Sequence, residues 1–266
     1  RSESLRCIMI FDSHSHTEFS ADSEMKAEDA LQKAKEEGVG LVFTEHLDFD
    51  YPGDMDFTFD PQVYWQSYEK YRGDTLRLGV EIGMNEAICE QNEAFVQKVP
   101  FDLVIGSQHI VNGQDIYYPA YYEGKTKKEA FHRYYELMAE NLRRHGAFID
   151  VLGHIDYISR YAPYDNPEVS YGEFHEDIDD ILRAAIETDT VMELNTRRLS
   201  SRRALKELMP VYKRYQELGG KYITLGSDAH VAENVAMNFA AAAELAEMAG
   251  LQLVTFKARR MEACPR

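Results

Sequence analysis

Ile8-Met9-Ile10-Phe11-Asp12-Ser13-His14-Ser15-His16 is an apolar run that ends in two histidines one residue apart. Alternate residues of a strand point to one face. A strand ending here therefore sets His14 and His16 side by side at its C-terminal end, where two imidazoles can grip one metal ion. The pattern repeats along the chain. Leu41-Val42-Phe43 leads into Glu45-His46, Leu78-Gly79-Val80 into Glu81, and Leu103-Val104-Ile105 into Gln108-His109. Residues 148–152 lead into Gly153-His154, and residues 222–225 into Ser227-Asp228-Ala229-His230. Six of the nine histidines thus lie at or just beyond the ends of apolar runs, which is how a multi-metal site is assembled from scattered sequence.

Working outward, strand then helix recurs about seven times, with strands expected at 8–13, 39–44, 76–82, 102–107, 149–153, 191–195 and 222–227. These runs are continuously apolar rather than alternating, as for parallel strands covered on both faces. The helices between them are readable. Thr126-Lys127-Lys128-Glu129 is a capping box, followed by Phe131, Tyr134, Tyr135, Met138 and Leu142 at helical spacing, then Arg143-Arg144-His145 and a closing Gly146. Residues 25–37 and 174–186 are also amphipathic. Sequential β-α units with reactive residues at strand C-terminal ends predict an α/β fold of the TIM-barrel type, with the active site on that face. Seven strands instead of eight predict a distorted, incompletely closed (β/α)7 barrel, built as a single domain over residues 1–266.

The composition narrows the function classes. At 266 residues and 44% hydrophobic, the chain has no uninterrupted apolar stretch near the roughly 18 residues that cross a bilayer, so no membrane partner is expected. Residues 1–7 lack the apolar core of a secretory signal. A natural start at Met9 and an ordinary strand extension both remain open readings of that segment. Cys7, Cys89 and Cys264 are odd in number and far apart in sequence. They predict neither a disulfide framework nor a thiolate zinc site, and a reducing cytoplasm is expected. A formal net charge of -17 argues against nucleic acid as a partner. An anionic substrate would need cations concentrated locally, from metals and arginines. No phosphate-binding Gly-x-x-x-x-Gly-Lys loop, dinucleotide fingerprint or Gly-x-Ser-x-Gly elbow is present.

His14-x-His16, Thr44-Glu45-His46, Glu81, His109, Gly153-His154 and Gly226-Ser227-Asp228-Ala229-His230 together resemble the polymerase and histidinol phosphatase (PHP) family, in the same order, from about Asp12 to His230. Within that family the chain is similar in size and motifs to the stand-alone histidinol-phosphate phosphatases. The resemblance implies three divalent metal ions, zinc, manganese or iron. His14, His16, Glu81 and Asp228 would hold the first; Asp22, His46 and His230 the second; and Glu81, as a bridge, with His109 and His154 the third. Asp22 departs from the family, which often has histidine there. Its harder oxygen would shift preference toward manganese or iron, and a plain helix N-terminal carboxylate is the other reading of that residue.

The resemblance also implies hydrolysis of a small-molecule phosphate monoester, L-histidinol phosphate, in histidine biosynthesis. A PHP-type phosphodiesterase or protein-tyrosine phosphatase and a non-catalytic barrel scaffold are the alternatives. Arg160 and Arg197 lie nearest to strand ends and are the expected phosphate contacts, since guanidinium binds two oxygens at once. A solvated charge run continuing through Arg202-Arg203 is the other reading. Asp228 and His230 are candidates for proton transfer as well as ligation. Residues 48–65, acidic, aromatic and without periodicity, are expected to form a loop over the site whose carboxylates meet a substrate amine. Asp54-Met55-Asp56-Phe57-Thr58 matches the Asp-x-Asp-x-Thr motif of aspartyl-phosphate phosphatases but follows Tyr51-Pro52-Gly53 rather than a strand, and is taken as coincidence. His132, His145 and His175 fall on expected helices and read as surface residues.

Overall fold

The apolar runs do form parallel strands in the computed structural model, which describes residues 5–266. The strands are β1 (Phe11–Asp12), β2 (Gly40–Leu47), β3 (Leu76–Gly83), β4 (Val104–Ser107), a hairpin of β5 (Ile110–Val111) and β6 (Gln114–Asp115), then β7 (Val151–Leu152), β8 (Val191–Asn195), β9 (Tyr222–Gly226), β10 (Gln252–Lys257) and β11 (Arg260–Ala263). One sheet runs β1-β2-β3-β4-β7-β8-β9-β10-β11, so successive β-α units add neighbouring parallel strands. The sheet curls. Ser13 N–H donates to the Leu225 carbonyl at 2.8 Å, His16 N–H to that of Ala229 at 2.9 Å, and Asp228 N–H to that of His14 at 2.8 Å. The segment after β1 therefore meets the segment after β9, bringing the first and last histidine motifs together.

The expected seven strands are all present, but the sheet has nine. After β9 the chain adds β10 parallel to it and β11 antiparallel to β10. Ala258 and Arg259 form the two-residue turn with positive φ at both positions (49° and 63°), a mirror-image turn matched to strand twist. It is anchored from outside: Ala258 N–H donates to Asp102 Oδ1 at 2.8 Å, and Arg259 Nε to Asp150 Oδ2 at 2.5 Å.

Period-two alternation sorts each strand into two faces. Leu76, Leu78, Val80 and Ile82 of β3 face outward onto the helices, with Leu41, Phe43 and Leu47 of β2 beside them. Inside the curl, Phe11, Val42, Leu103, Ile105, Val151, Val191, Val254 and Phe256 fill the end where the strands begin. The inward positions nearer the strand ends are polar, and that layer is the site.

The helices are α1 (Ala27–Glu37), α2 (Pro61–Tyr68), α3 (Cys89–Val96), α4 (Lys127–His145), α5 (Tyr171–Glu187), α6 (Arg202–Glu217) and α7 (Phe239–Met248). The Thr126–Glu129 capping box starts α4 as read from sequence. Gly146 follows it with φ of -56°, so the residue serves not a left-handed cap but room: a Cβ there would lie 2.5 Å from Thr188. Part of the stretch expected to be loop after His46 is α2, because Asp60 accepts from the N–H groups of Gln62 and Val63 and Pro61 presets the first turn. His145 is buried rather than at the surface, its ring held between the Asn141 carbonyl and the Asn92 amide. Cys7 and Cys264, distant in sequence, bring their sulfurs to 3.2 Å. No described helix is long and apolar enough to cross a membrane.

Candidate metal centre

Four donor atoms converge where β1, β3 and β9 end. His14 Nε2 lies 3.3 Å from Glu81 Oε1 and 3.4 Å from Asp228 Oδ1, and His16 Nε2 lies 3.4 and 3.1 Å from the same two oxygens. Glu81 is inward because β3 alternates, two residues past Gly79. Asp228 has φ of 57°, a left-handed conformation that aspartate tolerates and that turns its carboxylate back into the curl.

Next to this group, Asp22 Oδ2 sits between two imidazoles, 3.4 Å from His46 Nε2 and 3.2 Å from His230 Nε2. His16 is also near, but its ring stacks on those of His46 and His230 at 4.0 and 4.4 Å. One nitrogen each of His16, His46 and His230 lies within 4.8 Å of the other two, so His16 and Asp22 both face this pair of imidazoles. On the other side, Glu81 Oε2 lies 3.1 Å from His154 Nε2 and 3.6 Å from His109 Nε2. Glu81 alone thus faces all of these imidazoles except that of His230.

The imidazoles are held from behind by residues the sequence reading did not single out for this task. Glu193, inward on β8, meets His14 Nδ1 at 2.5 Å with one oxygen and accepts the backbone N–H of His154 at 2.8 Å with the other. Gly226 leaves it space, since a Cβ there would lie 2.5 Å from Glu193 Oε2. His16 Nδ1 meets Ser20 Oγ at 3.0 Å, and that hydroxyl donates to Glu45 Oε1 at 2.8 Å. Asp48 Oδ1 meets His109 Nδ1 at 3.0 Å, and Ser107 Oγ donates to Glu81 Oε2 at 2.7 Å. Such partners fix ring orientation and tautomer, leaving the other nitrogen free to coordinate. Buried Asp12 accepts from Ser227 N–H and Oγ–H and from Ala236 N–H, which pins the turn that carries Asp228.

Burial opposes a charge on His14, but the Glu193, Glu81 and Asp228 carboxylates outweigh it and hold its pKa well above the ordinary imidazole value. Burial is likewise outweighed at His46, which Asp22 and Glu81 push up to about 10, and at His109, raised by Asp48 and Glu81. His16 goes the other way, because burial and its neighbours His46 and His230 all disfavour a proton. Glu81 and Asp228, despite burial, are held well below the usual carboxylate range by the positive groups around them, His14 first. The carboxylates demand cations, and the donors fit divalent ions. His14 Nε2, His16 Nε2, His46 Nδ1, Glu81 Oε1 and Asp228 Oδ1 are buried with no hydrogen-bond partner of acceptable geometry. Leaving so many polar atoms unsatisfied is costly unless coordination satisfies them.

A cavity of about 380 Å³ opens over the cluster. Arg160 Nη2 reaches Asp228 Oδ2 at 2.9 Å and Asn195 Oδ1 at 3.1 Å, with its side chain 7% exposed. Arg197 also lines the cavity, 4.0 Å from Asp228 and 41% exposed. Arg198 and Arg203 turn away to Glu168. From residues 48–60 the wall receives Asp48, Tyr51, Met55 and Phe57. Asp54 and Asp56 do not line it, and Asp56 accepts from Thr58. His132 is exposed beside Asp177, and His175 is exposed on α5.

The PHP domain family matches residues 12–197. A Clostridium acetobutylicum protein named "Probable histidinol-phosphatase" is 44% identical over 254 residues, 96% of this chain and 99% of that protein. The Lactococcus lactis histidinol-phosphatase is 31% identical over 264 residues, 94% and 96% of the two chains. A crystal structure of the L. lactis histidinol phosphate phosphatase, complexed with zinc, L-histidinol and phosphate, superposes with a TM-score of 0.88, covering 95% of this chain and 98% of that one.

Proposed function

The chain belongs to the PHP domain family, and from that premise we propose that it is a divalent-metal-dependent phosphatase that hydrolyses L-histidinol phosphate to L-histidinol and phosphate. The observation that carries this is a convergent set of imidazole and carboxylate donors on the floor of a cavity that also holds two arginines. A relative built on the same fold holds zinc together with both products. A scaffold without catalysis would not need to retain the donor set.

We assign three ions, held by His14, His16, Glu81 and Asp228; by Asp22, His46 and His230; and by Glu81, His109 and His154. Support comes from the distances above and from the partnerless atoms at their centre. The same reading takes the curl between β1 and β9 as a distorted barrel over seven of the nine strands. Monoester hydrolysis is among the slowest reactions uncatalysed, needing up to about 10²¹-fold acceleration. Bound divalent ions supply Lewis-acid neutralisation of phosphate oxygens and lower the pKa of a water toward about 7.

The chain's own residues do the rest. Arg160 and Arg197 bind the outer phosphate oxygens with charge-assisted hydrogen bonds. Glu193, Ser20 and Asp48 keep the imidazoles aimed. We take Asp228 and His230, both on the cavity wall, as the candidates for proton transfer alongside ligation. The test is dialysis against a chelator followed by assay on a panel of monoesters. We expect hydrolysis to vanish and to return with zinc, manganese or iron, and histidinol phosphate to be the preferred ester. Full activity in protein shown to be metal-free would overturn the metal dependence, and equal rates across the panel would overturn the substrate.

A further inference from the structure

The cavity has a second polar pole. Asp115, on β6, lines it beside Tyr157, over whose ring the Arg160 guanidinium sits 5.5 Å from the centroid. Its Oδ2 accepts the Tyr51 hydroxyl at 2.5 Å, and its Oδ1 accepts the Tyr117 N–H at 2.9 Å and lies 3.5 Å from the Tyr157 hydroxyl. All three donors are neutral. Among the described residues no lysine, arginine or histidine nitrogen lies within the 4.0 Å of an ion pair. The other carboxylates of the wall are all matched: Asp22 with His46 and His230, Asp48 with His109, and Asp228 with Arg160. Asp115 is therefore positioned by hydrogen bonds while its charge stays uncompensated, and a half-buried carboxylate in that state favours a cation beside it.

Its surroundings select the kind of cation. Tyr51 packs edge-on against Phe57 with ring centroids 4.7 Å apart, and Tyr117 is tilted against Tyr161 at 4.7 Å, so the cavity wall that holds the carboxylate is aromatic, a surface that suits a positive charge or a flat ring. Placement is rigid. Asn112 and Gly113, with φ of 52° and 75°, form the two-residue turn that fixes β5 against β6 and pairs Ile110 with Asp115. Because β5 begins at the residue after His109, one hairpin sets the distance from that imidazole to Asp115. The Tyr157 ring spans the gap, stacked on His154 at 4.9 Å while its hydroxyl points to Asp115. The two poles are thus one tyrosine ring apart, within reach of a single small molecule.

We propose that Asp115 binds the cationic nitrogen end of the substrate and so sets the preference for an amino-bearing, ring-bearing phosphate monoester over a neutral one. This rests on the monoesterase reading above. It moves the amine contact from the acidic loop, where the sequence suggested it, to the hairpin after His109.

The experiment compares metal-loaded wild type with Asp115→Asn on L-histidinol phosphate, O-phosphoethanolamine and p-nitrophenyl phosphate. One charge-assisted contact predicts that the ratio of kcat/KM for histidinol phosphate to that for p-nitrophenyl phosphate falls roughly tenfold or more, chiefly through KM. Inhibition by L-histidinol, which carries the cationic end without the phosphate, should weaken in parallel, a readout that does not depend on turnover of that ester. A parallel loss on O-phosphoethanolamine would assign the contact to the ammonium group, and no loss there to the imidazole. A wild-type preference that survives Asp115→Asn unchanged, with L-histidinol binding as tightly, overturns the proposal alone. Wild-type enzyme with no preference for histidinol phosphate overturns the reading beneath it.

Discussion

Glu193→Gln is the sharpest test of how the centre is built, because it keeps the size of the side chain while replacing one acceptor oxygen with an NH₂ donor and removing the charge. Glu193 uses both oxygens as acceptors, one facing His14 Nδ1 at 2.5 Å, the other taking the His154 N–H at 2.8 Å and the Asn195 amide at 3.2 Å. Glutamine has one oxygen and one NH₂. With its oxygen on the His154 and Asn195 donors, its NH₂ faces His14 Nδ1, which must then accept. That forces the proton of a neutral His14 onto Nε2, the nitrogen 3.3 Å from Glu81 and 3.4 Å from Asp228, and removes the lone pair that would coordinate. The opposite amide orientation points NH₂ at two donors and leaves them unpaired, at about 1–3 kcal/mol for a buried group. Either way the outer-shell rule of about 10–100-fold loss in metal affinity or activity applies. Metal content after dialysis, measured with kcat at saturating metal, reads it directly. A folded Glu193→Gln protein with wild-type metal affinity and wild-type kcat would refute the argument that Glu193 sets the His14 tautomer.

Glu81→Gln should be more severe than Glu193→Gln, since Glu81 lies within 3.6 Å of five imidazoles, and loss of more than one equivalent of metal together with kcat is expected; retained stoichiometry would count against bridging. Arg160→Ala and Arg197→Ala should each lower kcat/KM roughly tenfold or more on every ester, p-nitrophenyl phosphate included. Arg160→Ala should also lower the melting temperature, because that side chain is buried against Asp228 and Asn195, whereas Arg197→Ala should not. Asp102→Ala should leave Arg72 and the N–H groups of Leu78 and Ala258 without their acceptor, costing about 3 kcal/mol in a urea titration.

The convergence of the proposed donors was legible because a strand end presents its side chains in fixed order: His14, His16, His46, Glu81, His109, His154, Asp228 and His230 each close an apolar run. Their supports were not. Glu193 sits in Val191-Met192-Glu193-Leu194-Asn195, where a carboxylate at an inward position is a signal, but its partner His14 is 179 residues away. Asp48 lay in plain view as a loop acid and Asp115 was not singled out, and only the folded chain shows that the first faces an imidazole while the second does not. The β10–β11 pair escaped because Gln252, Thr255 and Lys257 interrupt the apolar residues of the 252–257 segment, and because Ala258-Arg259 lacks the glycine or asparagine that usually marks such a turn.

That last omission touches the site as well. A curled sheet can place ligands at one end only if the other end is packed, since an open interior would be wet and compliant. Here Val254 and Phe256 of β10 enter the inner apolar layer, Arg77 stacks on Phe11 at 4.2 Å and pairs with Glu262 of β11 at 2.6 Å, and Asp102 holds the hairpin tip. Each inner strand face is thus apolar where it begins and polar where it ends: Val42 then His46, Ile105 then Ser107, Val191 then Glu193. Fixing the lower residue by packing fixes the upper one by strand geometry, about 6.5 Å further for every two residues. Rigidity at the metal end therefore derives from close packing at the opposite end.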